Sequence, residues 1–247
     1  MHIAENLFEE AVSAKSYLQI IKQIRENSYE YSKEINYSPT FYNIVYNSLI
    51  ESLFLNLFKL YDSHSNSLSI HVLLSEMSEI KEDDLNEDVL KNYARHGNKF
   101  LYRLKPEEES QFVEEVERTK KLCVAAGVTY THTSVPLTLQ DYVNIYDKRF
   151  ALLNNQILEN LRKRRNKIGA HNDAKTNFDY KKINEEFPIT NNEIDSIVEF
   201  AIDFLQFCIE ILTGVHKIPE YLNIDDLNIT LNLVRDGIEY RKIQKEE

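Results

Sequence analysis

The chain has 247 residues, a formal net charge of -11, and 43% hydrophobic and 28% charged residues, the composition of a globular chain long enough to bury its own core. Its five glycines are unclustered, which excludes P-loop, dinucleotide-binding and nucleophile-elbow chemistry, since each needs closely spaced glycines at a strand-to-helix turn. The acidic balance argues against a generic polyanion binder and makes any local basic cluster conspicuous. Two cysteines, Cys123 and Cys208, are too few for a disulfide framework, so a reducing cytoplasm is expected. The start MHIAENLFEE carries acids where a leader peptide carries bases. No apolar run approaches the roughly eighteen residues of a membrane span, so no membrane contact is expected.

Apolar residues recur at three- and four-residue spacing, and the prolines fall between the periodic segments. A first helix is predicted from about Ile3 to Asn27. A second opens near Ser38-Pro39 and carries Phe41, Val45, Leu49, Leu53, Leu57 and Leu60 to Tyr61-Asp62; its wide apolar stripe reads as a central helix. A shorter segment covers about Ser67 to Ile80, and an acidic helix Asp84 to Arg95. Pro106 followed by Glu107, Glu108 and Glu109 opens a further helix that stops at Gly127. The β-branched stretch 128–137 reads as a loop, with a short hairpin as the alternative. A long helix is predicted from Thr138 through Leu153, Ile157 and Leu161. Thr190 and Glu193 form a capping box ahead of Ile194, Ile197, Ala201, Leu205, Cys208 and Leu212, with Gly214 as the stop. A last helix runs from Asp225 to about Gln244. The fold class is therefore all-α, as one domain over 1–247, with a core of about 1–215 and a helical extension over 216–247.

One segment looks like chemistry. Arg162, Lys163, Arg164, Arg165 and Lys167 crowd the end of the long helix, with no acid from Asn160 to Asn172. The plain alternative is a cationic helix C-terminus favoured by the macrodipole. Against it stand His171, six residues past Arg165, and Asn166 beside the arginine. On an unbroken helix Arg164 and His171 lie within about 20° of each other, whereas Arg165 and His171 are about 120° apart. Gly169-Ala170 permits a bend. Either Arg164 shares a face with His171, or a bend or a second subunit brings Arg165 to it, and spacing leaves both open.

The string Arg165-Asn166-Lys167-Ile168-Gly169-Ala170-His171-Asn172-Asp173 resembles the signature of HEPN domains, an arginine followed by a polar residue and, after four to six residues, a histidine. Its fuller form is similar to the branch containing AbiU-type abortive-infection proteins of phage defence. Leu57-Phe58-Lys59-Leu60-Tyr61-Asp62 resembles that branch's arginine-leucine-tyrosine-aspartate stretch, with Lys59 where an arginine is expected. The resemblance implies an all-α HEPN bundle and metal-independent endoribonuclease activity without a cofactor. It also implies a homodimer whose two motifs face one cleft, and a toxin or antiviral role with an antitoxin or defence-system protein as partner. RNA carries its own nucleophile, the 2′-hydroxyl, so cleavage needs a base, an acid and a cation near the phosphate. His171 suits the acid–base work, and Arg165 suits bidentate phosphate binding. Asn166 would orient the histidine or a phosphate oxygen, and Asp173 would fix the imidazole tautomer. Arg164 and Lys167 would hold flanking phosphates, with Arg162 and Lys163 completing the RNA-binding surface. The rival reading is a catalytically silent HEPN module that binds RNA or a partner protein through the same basic end.

Other residues read more plainly. The acids of 76–88 and 107–117 lack an accompanying basic cluster and read as solvated helix faces. Asp62, His64 and His71 match no zinc spacing, and His96 and His132 sit in loop-like contexts. The tyrosines between Tyr29 and Tyr46 read as core or dimer-interface packing residues rather than base-stacking ones. Asp62 is either a simple helix-end residue or the partner of Arg164 or Arg165 across the bundle.

Overall fold

The computed structural model describes residues 2–64, 67–80, 121, 124, 139–153, 155–170, 180–221 and 226–246. Among these the regular structure is helical: α1 (His2–Glu30), α2 (Ser32–Ile35), α3 (Pro39–Leu60), α4 (Ile70–Glu79), α5 (Leu139–Leu152), α6 (Asn155–Ala170), α7 (Tyr180–Glu186), α8 (Asn191–Thr213) and α9 (Asp226–Glu246). The expected helices over 84–95 and 106–127, the loop at 128–137, and Cys123, His96 and His132 lie outside the described residues.

α8 shows most directly how sequence sets structure. The Thr190 hydroxyl accepts from the Glu193 amide (3.3 Å), and the Glu193 carboxylate accepts from the Thr190 amide (2.6 Å), satisfying two of the orphan donors at the helix start. The helix ends at Gly214, whose φ of 70° lies in the left-handed region that glycine tolerates and whose amide bonds to the Glu210 carbonyl. Between these caps Ile194, Ile197, Ala201, Leu205 and Cys208 are buried. They pack against α1, whose buried set includes Ala4, Leu7, Phe8, Ala11 and Leu18. Ion pairs of Lys15 with Glu199 and of Lys22 with Asp195 set α1 and α8 antiparallel. Each leucine, isoleucine or phenylalanine of this core contributes about 1.5–3 kcal/mol by leaving water.

α3 lies on the other flank of α1, and its register is set by Asn56, whose amide donates to the Glu10 carbonyl (3.2 Å), and by Lys59, paired with Glu10 (2.6 Å). Leu53, Phe54, Leu57, Phe58 and Leu60 are buried. The first half of the helix is not: Phe41 and Ile44 are exposed. The expectation of a central helix therefore holds only from about residue 53 onward. An apolar stripe reports a face that favours burial, while coverage depends on which neighbours reach it.

The long helix expected to start near Thr138 is two helices. At the end of α5 the Leu153 amide is shared between the Arg149 and Phe150 carbonyls (3.0 and 3.1 Å), a tightening common at helix ends. α6 begins two residues later. α5 is locked into the core by Tyr146, whose ring packs against Phe200, Phe204 and Phe207, and by Arg149, paired with Asp203 (2.5 Å). α6 packs separately, against the buried end of α3. No helix of the described residues is long and apolar enough to cross a membrane.

Candidate nucleic-acid interface

The basic cluster occupies the last turns of α6. Consecutive residues on a helix point about 100° apart, so five cations cannot share one face, and the structure distributes them.

Arg164 continues the buried stripe of Ile157, Asn160 and Leu161 and is itself only 4% exposed. Its Nε donates to the Phe187 carbonyl (2.6 Å), and its guanidinium lies 5.0 Å from the centre of the Phe54 ring. Burial pushes its pKa down to about 10, because loss of water disfavours the charged form. The expectation that Arg164 holds a flanking phosphate is corrected: its place on the apolar stripe turns it into the bundle. There it ties α6 to the segment that leads into α8. Asn160 does the same one turn earlier, donating to the Pro188 carbonyl (2.9 Å).

Arg165 points the other way, toward the end of α3. Its Nη1 lies 2.7 Å from Asp62 Oδ1, with the two side chains 26% and 20% exposed. The sequence left Asp62 a choice between two arginines or none, and Arg165 is the partner. Asp62 also accepts from the His64 amide (3.2 Å). Partial burial opposes ionisation of this carboxyl, but the Arg165 and His64 donors outweigh it and hold its pKa below the ordinary value. The preceding residue anchors the turn: the Tyr61 hydroxyl donates to the Ile197 carbonyl of α8, and its ring stacks on Phe150 at 6.2 Å. Burial raises the Tyr61 pKa, keeping the hydroxyl a donor.

Between α3 and α6 lies a shallow depression of about 10 Å³, room for one water molecule, lined by Phe58, Tyr61, Ser63, Leu158, Leu161, Arg162 and Arg165. Most of its lining is apolar or aromatic, with Arg162, Arg165 and Ser63 as further polar members. Arg162 and Asn166 are exposed. Lys163 pairs with Glu159 one turn back (2.6 Å). Lys167 pairs with Glu186 of α7, and its ammonium sits 5.3 Å from the Phe187 ring. His171 and Asp173 lie outside the described residues.

Spacing alone missed Ser63, Glu159, Glu186, Phe187 and Pro188. Glu159 carried a signal, being four residues before Lys163. Pro188 was legible only as punctuation, and nothing in the local pattern marks Phe187 as the cap on two basic side chains.

The HEPN family model described as AbiU2 matches residues 2–230, nearly the whole bundle with the Asp62–Arg165 pair inside it. The chain belongs to the AbiU2 family of HEPN proteins. Among curated proteins and among solved structures, no match to the chain is found. In this AbiU2-type bundle the family string thus starts on α6 at Arg165, and the helix-end stretch 57–62 closes on it through Asp62. The two segments that carried the resemblance, about a hundred residues apart in the chain, are joined by one ion pair.

Proposed function

We propose that this AbiU2-type HEPN protein is a metal-independent endoribonuclease acting in abortive infection of phage-infected cells or as a toxin. The observation that carries the reading is the placement of Arg165: steadied by Asp62, it lines a shallow surface depression beside Arg162. A fixed guanidinium can donate two parallel hydrogen bonds to a phosphate and stabilise charge as it develops on the oxygens of the pentavalent phosphorane.

In the proposed reaction His171 takes the proton of the RNA 2′-hydroxyl, the oxygen attacks the adjacent phosphorus, and the 5′-oxygen of the next nucleotide leaves after gaining a proton. The products are a 2′,3′-cyclic phosphate and a 5′-hydroxyl. Asn166 orients His171 or a phosphate oxygen, and Asp173 fixes the imidazole tautomer. Arg162, Lys163 and Lys167 contact the flanking backbone. A homodimer with its two motifs on one cleft, a defence-system or antitoxin partner and a cytoplasmic setting complete the reading.

The test is cleavage of labelled mixed-sequence RNA in EDTA by the wild type, His171→Ala and Arg165→Ala. The proposal expects wild-type cleavage leaving cyclic-phosphate ends, with a loss of at least about 100-fold in each variant. Equal cleavage by wild type and His171→Ala removes His171 from the site. No cleavage, with RNA still bound, replaces the enzyme by a silent RNA-binding module.

A further inference from the structure

A second surface stands apart from the basic end. α9 is fixed to the C-terminal end of α1 and to α2 by one face. Leu231 is fully buried, Asn27 donates to Asn228 (2.6 Å), and the Tyr31 hydroxyl donates to Asn232 (3.0 Å). Arg235 donates to Glu34 (3.1 Å) and lies 4.1 Å over the Tyr31 ring. So held, the helix cannot turn its opposite face inward. That face carries Ile229, Leu233 and Tyr240, with Ile243 at its edge, all 55–66% exposed.

Ile229, Leu233 and Gly237 form one four-residue ridge, the kind that packs into the groove of another helix. Gly237 is the telling member. It has no positive φ, and a side chain built there meets nothing within 4 Å. A glycine in a helix interior costs about 0.5–1 kcal/mol relative to alanine, and no described residue packs against it. A missing side chain at the middle of an outward ridge is what a second backbone needs in order to approach closely.

The exposed start of α3 adjoins this helix, since Arg241 donates to the Tyr37 hydroxyl (3.2 Å). Tyr37, Phe41 and Ile44 are 59–61% exposed, and residues 36–50 contain no charged side chain in a chain that is 28% charged. At roughly 100 Å² each, these side chains and those of the α9 face together expose an area near the roughly 800 Å² per partner of a stable interface.

We propose that this face binds a second copy of the chain, with the two α9 helices crossing antiparallel at Gly237. Antiparallel pairing opposes the helix dipoles favourably and turns the Arg241-Lys242 end of one helix toward the Asp226 end of the other, whereas parallel pairing brings like ends together. The interface is distinct from a dimer formed at the ribonuclease motifs and does not depend on that activity. α3 is tied to α1 at Glu10, near the basic end, and α9 at Asn27. Seventeen residues of helix separate these points by roughly 25 Å.

The experiment measures solution mass by light scattering at micromolar concentration, with helical content checked by circular dichroism. The wild type should run at twice 29.1 kDa through this face alone, and at four times that chain mass where the motif dimer forms as well. Leu233→Glu combined with Tyr240→Glu, both on the surface, should run at half the wild-type mass and stay folded, and Arg165→Ala should not release this contact. Gly237→Cys in a Cys123→Ser background should cross-link two chains on mild oxidation, because the two-fold axis brings residue 237 against itself. A monomeric wild type overturns the proposal, as does a mass that the double glutamate variant leaves unchanged, or absence of the cross-link.

Discussion

Asp62 and Arg165 show how much one pair can decide. Each is about three-quarters or more buried, too enclosed for a solvated surface pair and too open for a fully desolvated one. Asp62→Asn should therefore destabilise the fold by about 1–2 kcal/mol at pH 7, between the ranges for exposed and buried pairs. The sign of the pH dependence follows from the lowered Asp62 pKa. The pair's contribution is complete above the unfolded carboxyl's value near 3.8 and is lost as pH falls through the lower folded value. Urea unfolding at pH 7, 5 and 3 should show a constant gap between wild type and variant at the first two and a smaller gap at the third. A gap that instead widens toward pH 3 contradicts the pairing. Which arginine meets Asp62 was not legible in the sequence, because the contact joins residues 103 apart and spacing carries no long-range register. The inward turn of Arg164 was misread as a phosphate contact, because its charge outweighed its place on the stripe of Ile157 and Leu161.

At the scale of elements, helices that signal their own ends were read closely. α8 begins at the capping box and stops at Gly214, and α3 begins at Pro39 as its proline dictates. The capping box also bears on α6, because the segment that enters it supplies the Phe187 and Pro188 carbonyls bound by Arg164 and Asn160. Thr190→Ala should cost about 1 kcal/mol of stability, measured as a lower urea midpoint at unchanged slope. An unchanged midpoint means that Glu193 and water serve the helix start without the hydroxyl. The two short helices α2 and α7 escaped sequence reading, having too few residues for a period to show. The α5–α6 break escaped because the apolar spacing from Ile145 to Leu161 runs through it without interruption.

If RNA is the substrate, as proposed, the whole molecule sets an electrostatic problem, since a chain of net charge -11 repels RNA on balance. Screening confines that repulsion to about 8 Å at physiological salt, so the local balance governs binding. Within the basic cluster Asp62, Glu159 and Glu186 already answer Arg165, Lys163 and Lys167. Sequence composition exposed the cluster but not this internal neutralisation, since Asp62 and Glu186 come from other elements. Releasing Lys167 by Glu186→Gln should tighten RNA binding and steepen the dependence of log K on log salt by about 0.7, the increment for one further phosphate contact on a single strand. Fluorescence anisotropy with labelled RNA between 50 and 200 mM salt reads both quantities. An unaltered slope takes Lys167 out of the RNA surface.

The break between α5 and α6 also insulates the site from changes in chain length. In one unbroken helix an inserted residue would swing everything beyond it by about 100°, dragging Arg164 out of the bundle and Arg165 away from Asp62. Here Tyr146 and Arg149 fix the helix before the joint, and Asn160, Arg164 and Arg165 fix the one after it through partners of their own. An insertion at the joint can be taken up there as a longer loop. The two halves can thus diverge in length and register independently, and the aim of Arg165 survives edits that a continuous rod would transmit to it.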